Sequence, residues 1–323
     1  MALIKKLLSK LNGLHYSQEY LCLSKETLKD SLHVYLTQSG KVVKDITESH
    51  MFVGYSPLIF AISSSVVDAK ADKIDLLFSM KPFQPNEFPG KKDAIARLSL
   101  RKIYQFDING GYILLYEGTK GTHRFISQFH QIIIQAYNRL YNKRPGNVFL
   151  ENNLYKQVQI AYSGPRKICL ITVGNNNLYN HFPTDLHGKV NGRYYIISLR
   201  HQGQACRQVE SCKKIVLSDM PAAAYKKVYS LGKNHMQPLK EITQFDFGSA
   251  RSRYFLLPLP NDLLSYKELE LVSSFIHGIH KILLFKIVHE EKPNTKAETL
   301  SHVHNCYATW RYHQKLSSNF LLR

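Results

Sequence analysis

KICLITVGNNNLYNHFPTDLHGKVNGRYYIISLR, residues 167–200, decides how the rest of the chain is read. Ile168–Val173 and Tyr194–Leu199 are apolar runs dominated by β-branched and aromatic residues, which pack well on a pleated surface and predict two strands. Between them the chain is polar and rich in Asn and Gly, and carries Asn180, His181, Thr184 and Asp185. A strand, a donor-rich loop and a strand ending in Ser198 and Arg200 can hold an anionic ligand beside a sheet. The plainer reading is a surface loop between two strands, and spacing alone favours it.

Working outward, 323 residues exceed what one small domain needs, so two domains or one elaborated domain is expected. A hydrophobic content of 44% with 11% aromatics suffices for a substantial core and excludes a disordered chain. The sequence has no apolar run of about eighteen residues that would predict a transmembrane helix. The start, MALIKKLLSKL, has lysines but no long apolar segment followed by a small-residue cleavage site, and predicts no signal peptide. Cys22, Cys169, Cys206, Cys212 and Cys306 are odd in number and scattered, which fits reduced thiols in a cytoplasm better than a disulfide framework. The formal net charge is +19. Such a surface attracts nucleic acid or small anions. The basic residues are spread along the chain rather than gathered in a tail, which makes nucleic acid the weaker of the two.

The first half predicts strands at His33–Thr37, Lys41–Ile46, Pro57–Ile62, Asp75–Met80 and Gly111–Tyr116, with a proline-rich loop over Lys81–Lys92. Ala2–Leu11 reads as a short basic amphipathic helix packed on the domain. In His123–Tyr141, apolar residues recur at three- and four-residue steps and predict one amphipathic helix, with His123 on it. Pro145-Gly146 marks a domain boundary or long connector. Beyond residue 200, Cys206–Lys214 and Met220–Leu231 read as helices, and Leu269–Phe275 and Lys281–Val288 as strands around a tight turn at Gly278-Ile279. The halves echo each other: HVYLT, His50, PLIFAI and GYILLY parallel KICLITV, His181, YYIISL and KILLFKIV. Degenerate duplication is one explanation; the general likeness of alternating strands is the other.

Dinucleotide, Walker, HExxH and GxSxG motifs are all missing from the sequence. His302, His304 and His313 suggest a metal site, but Glu298 is the one nearby carboxylate, so none is assigned. Tyr307, Trp310 and Tyr312 read as core or interface packing.

From about residue 150 to 310 the order of segments resembles the flavin reductase-like family, the FMN-binding split barrels. The carriers are Asn180-His181-Phe182-Pro183-Thr184 after a strand, Ile197-Ser198-Leu199-Arg200 closing the next, and a short helix leading into Lys214–Leu217. Leu269-Glu270-Leu271, Gly278-Ile279-His280 and Leu283–Val288 follow, with Ile279 where many members carry Asp. The resemblance implies a β-rich α+β chain: a split barrel with flanking helices at 146–323, and an α+β region at 1–145 that is a degenerate copy of it if the echo is real. It further implies FMN as cofactor, reduced nicotinamide (NADH or NADPH) as donor, and a homodimer or an intrachain pseudo-dimer. Asn180, His181 and Thr184 would line the FMN loop, Ser198, Arg200 and Gln204 would hold the phosphate, and His280 would sit at the rim. No catalytic acid or base is expected, because the flavin carries the hydride chemistry. The alternative is a non-enzymatic binder on the same scaffold, using its basic surface for an anionic partner such as nucleic acid.

Overall fold

A computed structural model describes residues 12–28, 30, 32–141, 148, 150–291 and 298–316. The expected N-terminal helix and the connector at Pro145-Gly146 lie outside the described residues. Strand β1 (Tyr20–Ser24) precedes a seven-stranded antiparallel sheet made of β2 (His33–Gln38), β3 (Lys41–Asp45), β4 (His50–Tyr55), β5 (Leu58–Ser63), β6 (Lys73–Ser79), β7 (Ala96–Ile108) and β8 (Gly111–His123). Helices α1 (Gln128–Tyr141) and α2 (Asn153–Ala161) and the short β9 (Arg166–Lys167) lead out of it.

The second sheet holds β10 (Cys169–Asn175), β11 (Leu178–Thr184), β12 (His187–Lys189) and β13 (Tyr194–Arg200). Helix α3 (Gln204–Cys212) and β14 (Lys214–Asp219) follow. An excursion carries α4 (Tyr225–Ser230), β15 (Lys240–Glu241), β16 (Phe247–Arg251) and β17 (Pro258–Pro260) before the long hairpin β18 (Ser265–His277) and β19 (His280–Glu290). The tail, β20 (Leu300–His304) and α5 (Asn305–His313), returns to the first half. There β20 pairs with β1, and Val303, Cys306 and Tyr307 are buried in the first half's core. Among the described residues no helix is long and apolar enough to cross a membrane.

The two sheets share one strand order. The first runs β3-β2-β6-β7-β8-β5-β4, and the second runs β11-β10-β14-β18-β19-β13-β12, with β15 added beyond β11. Ranked along the chain, with the excursion left out, both read 2-1-5-6-7-4-3. Registers match as well. The hairpin turns Asn109-Gly110 and Gly278-Ile279 align Ile113 with Ile282, and Ser63 pairs with the first as Ser198 pairs with the second. His50 opposite Ile62 corresponds to His187 opposite Ile197. The opening hairpins agree too: Ser39 and Gly40 in one, Asn176 and Asn177 in the other, all have positive φ, as the favoured two-residue hairpin turn requires.

These sheets pack face to face through matching positions. Val53 and Val190, Ala61 and Ile196, Ile113 and Ile282, and Leu115 and Leu284 share one buried cluster, joined by Phe106 and the partly buried Phe275. Each Val, Ile or Leu side chain among them contributes roughly 1.5–3 kcal/mol by leaving water. The same surface of each half is therefore spent on the other half.

Three expectations need revision. Residues 178–184 are strand β11 rather than loop: Asn180, Phe182 and Thr184 are buried in it, and the loop shrinks to the Asn176-Asn177 turn. The helix expected from His123 begins at Gln128; His123 ends β8, and its buried Nε2 lies 2.8 Å from Gln159 Oε1. In the echo between halves, the partner of His50 is His187 rather than His181.

Candidate functional site

Matching edge strands β4 and β12 meet at the junction of the halves, and a cleft of about 430 Å³ opens beside them. Its cations are Lys25, Arg166, Lys167, Lys189 and Lys267, against the carboxylates Glu48 and Asp185. Leu32, Val34, Met51 and Phe78 supply apolar wall. Arg166 donates through Nε to Ala161 O at 3.1 Å and lies over the Phe52 ring, 5.2 Å from its centroid. Burial lowers its pKa to about 10, so the guanidinium remains charged at neutral pH. Lys167 and Lys267 converge on Asp219 at 3.0 and 3.6 Å. Burial alone would raise the Asp219 pKa, but the two ammonium groups outweigh it and hold the carboxyl well below its ordinary range. His50 and His187 both line the cleft, and burial lowers each to about 4, so both are neutral at pH 7.

Asp185 links this cleft to a smaller cavity of about 210 Å³, because it lines both. Its Oδ2 accepts the Tyr162 hydroxyl at 2.8 Å and lies 2.9 Å from His302 Nε2. Burial works against its ionisation, yet the His302 and Tyr162 hydrogen bonds bring the carboxyl down to about 2.

A third group forms where the turn after β4 meets the start of β19. The Tyr55 N–H donates to His280 Nε2 at 3.1 Å. That nitrogen is therefore unprotonated, and Nδ1 carries the hydrogen toward Ser198 Oγ, 3.1 Å away. Arg200 Nε donates to the Tyr55 hydroxyl at 2.8 Å. Burial, reinforced by the Arg200 charge, lowers His280 to about 3. The approach is close: Gly278 has φ +58, and a Cβ there would stand 2.2 Å from Pro57 Cδ.

No protein-family model and no curated protein matches the sequence. Among solved structures the chain is similar to BorF, the flavin reductase component of a bacterial two-component tryptophan halogenase, with 17% identity, 47% of this chain and 94% of that chain covered, and a TM-score of 0.41. It is similar to an NADH:FAD oxidoreductase of Streptomyces globisporus, with 12% identity, coverage of 50% and 96%, and a TM-score of 0.42. A third similar structure is an FMN-binding protein of Thermus thermophilus, with 14% identity, coverage of 40% and 71%, and a TM-score of 0.34. The resemblance is to flavin reductases and FMN-binding proteins. Each match covers half of this chain or less.

The residues expected to hold a cofactor fall into separate places. Ser198, Arg200 and His280 come together around Tyr55, and Gln204 is exposed at the start of α3, four positions beyond Arg200. Asn180 is fully buried elsewhere and donates through Nδ2 to Gln208 Oε1 and Asn234 O. The His181 ring lies beside Thr172 Oγ1 at 3.0 Å and against Phe247. Thr184 lines the smaller cavity. Sequence reasoning gave no role to Tyr55, His50, His187 or Arg166, and named Asp185 only as a member of the polar loop. The echo between the halves was the available signal for the two histidines; Arg166 and Tyr55 had none, since the Phe52 ring under Arg166 and the Arg200 and His280 partners of Tyr55 are distant in sequence. Among the described residues no group of three or more His, Cys, Asp or Glu side chains could hold a metal ion.

Proposed function

We propose that the chain is a flavin-binding protein of flavin-reductase type, built as an intrachain pseudo-dimer of two split barrels with the flavin at their junction. The observation that carries the reading is the basic cleft between two sheets of identical strand order. A volume of about 430 Å³ lies within the range of small-molecule sites. Its lining suits a flavin mononucleotide: Arg166, Lys167 and Lys189 for a phosphate, and Leu32, Val34 and Phe78 as wall for a flat ring. Ser198, Arg200, Gln204 and His280 do not line this cleft; on this reading they would reach the flavin from the Tyr55 side. Asn180, His181 and Thr184 support the strand β11 that carries the chain to Asp185.

When bound, the flavin would supply the hydride chemistry, with reduced nicotinamide as donor. The chain's own part is to bind, orient and shield. Five free cysteines, four of them buried, fit a reducing, cytoplasmic setting. Titrating the protein into FMN and into FAD while following flavin fluorescence tests the reading. Saturable quenching, followed by NADH or NADPH oxidation in the loaded protein, is expected. Fluorescence that stays unchanged overturns it.

One observation favours the second reading. Asn180, His181, Ser198 and His280 already have hydrogen-bond partners within the protein. A scaffold without flavin that uses its +19 charge for an anionic polymer would leave them so. A salt-dependent mobility shift with DNA or RNA, without flavin uptake, selects that reading.

A further inference from the structure

Two histidines at matching positions line the cleft, and they differ in how their ring nitrogens are used. His187 Nε2 lies 3.1 Å from Lys167 O, which can only accept, so that nitrogen carries the hydrogen. Its Nδ1 then takes the Tyr195 hydroxyl at 2.7 Å. His50 holds the same place in the first half, opposite Ile62 as His187 is opposite Ile197. Its Nδ1 lies 2.8 Å from Ile46 O and must donate to it, which leaves Nε2 unprotonated in the neutral ring. Among the described residues nothing donates to His50 Nε2, and the atom is not sealed from its surroundings. It therefore gives the cleft a neutral, open acceptor.

The surroundings limit what it can accept from. After burial, the Arg166 charge is the next cause of the low His50 pKa, so the acceptor lies near the cation assigned to phosphate. Glu48 and Asp185 also line the cleft, but as anions they repel a phosphate beside them. A neutral ring nitrogen does not, and a phosphate dianion has no hydrogen to give it. In FMN the donor that stands next to the phosphate is a hydroxyl of the ribityl chain. We propose that His50 is a specificity-determining residue, accepting a ribityl hydroxyl through Nε2 beside the phosphate of the bound flavin. This rests on the flavin reading and gives it a direction, with the ribityl chain passing the β4 side of the cleft. His187, with both nitrogens committed, makes no such contact, and the two halves are unequal toward the ligand.

The test compares lumiflavin, riboflavin and FMN by fluorescence titration of the full parent chain and of His50→Phe. Lumiflavin has the ring system without the ribityl chain, and riboflavin has the chain without the phosphate. His50→Phe keeps an aromatic ring and loses the acceptor. It should raise the Kd of riboflavin and of FMN about 3–10-fold and leave that of lumiflavin unchanged. His50→Gln, whose amide oxygen can accept at the reach of Nε2, should recover most of the loss. If His50→Phe does not fold, His50→Asn decides with the same pattern expected, since its amide can still donate to Ile46 O but offers no acceptor at the Nε2 position. Unchanged Kd values, a loss for FMN alone, or an equal loss for all three ligands would each overturn the proposal while leaving the flavin reading in place. A parent chain that takes up no flavin overturns both.

Discussion

Met51 lies against Gly188: a Cβ built on Gly188 would stand 2.3 Å from Met51 Cγ. The two residues hold matching places, Met51 opposite Ala61 and Gly188 opposite Ile196, in sheets that share a strand order. Contact between matching positions is what a self-complementary two-fold interface produces. It supports reading the chain as a pseudo-dimer whose cleft lies close to the axis.

Gly188→Val should destabilise the chain by about 1–3 kcal/mol, the usual cost of forcing extra atoms into a packed site. Met51→Ala should recover part of that loss in the double variant, because the residues touch. Urea denaturation of the four proteins measures the coupling. Strictly additive effects would mean that the halves do not meet there.

Acid should weaken the fold well above the ordinary carboxylate range. Burial lowers His50, His123 and His187 to about 4, and His181, His280 and His304 to about 3. An unfolded histidine takes its proton near pH 6.5, so between these values the unfolded state holds the extra proton. Stability is complete above about pH 6.5 and falls as pH drops through that window, by up to ~1.4 kcal/mol per pH unit for each histidine. The urea midpoint should therefore be lower at pH 5 than at pH 7. Equal midpoints would contradict the burial of these rings.

Legibility followed the range of the interactions. YYIISL, GYILLY and KILLF are strands because their composition says so locally, and Gly278 marks its hairpin because the turn needs positive φ. Strand β11 was hidden: Asn180, His181 and Pro183 are poor strand formers, and their place is set by pairing with β10 on one side and by Asn234 on the other. Pairing also decides that His50 matches His187, since alternation alone leaves the register free. The cleft was the least legible part. Arg166, His50 and His187 meet only after two sheets pack, and no local pattern encodes that.

Arg200→Ala should weaken flavin binding several-fold through the rim. It removes the Nε donor to the Tyr55 hydroxyl, and Tyr55 in turn donates its N–H to His280. The comparison is fluorescence titration of the variant and its parent with FMN. An unchanged Kd would separate the Tyr55 side from the flavin site.

Arg166→Met keeps most of the unbranched stem and removes the guanidinium charge from the cleft. Loss of one charge-assisted contact to phosphate is expected to raise the Kd for FMN about 10-fold or more. Riboflavin, which has no phosphate, should bind both proteins alike. Equal losses for the two ligands would show that Arg166 shapes the cleft rather than pairing with phosphate.

The absorption spectrum of the purified chain, before and after incubation with FMN and removal of the excess, tests the central claim most directly. A flavin band in the blue that stays with the protein and is shifted from that of free FMN is expected. A colourless protein that releases all added FMN and FAD would contradict it.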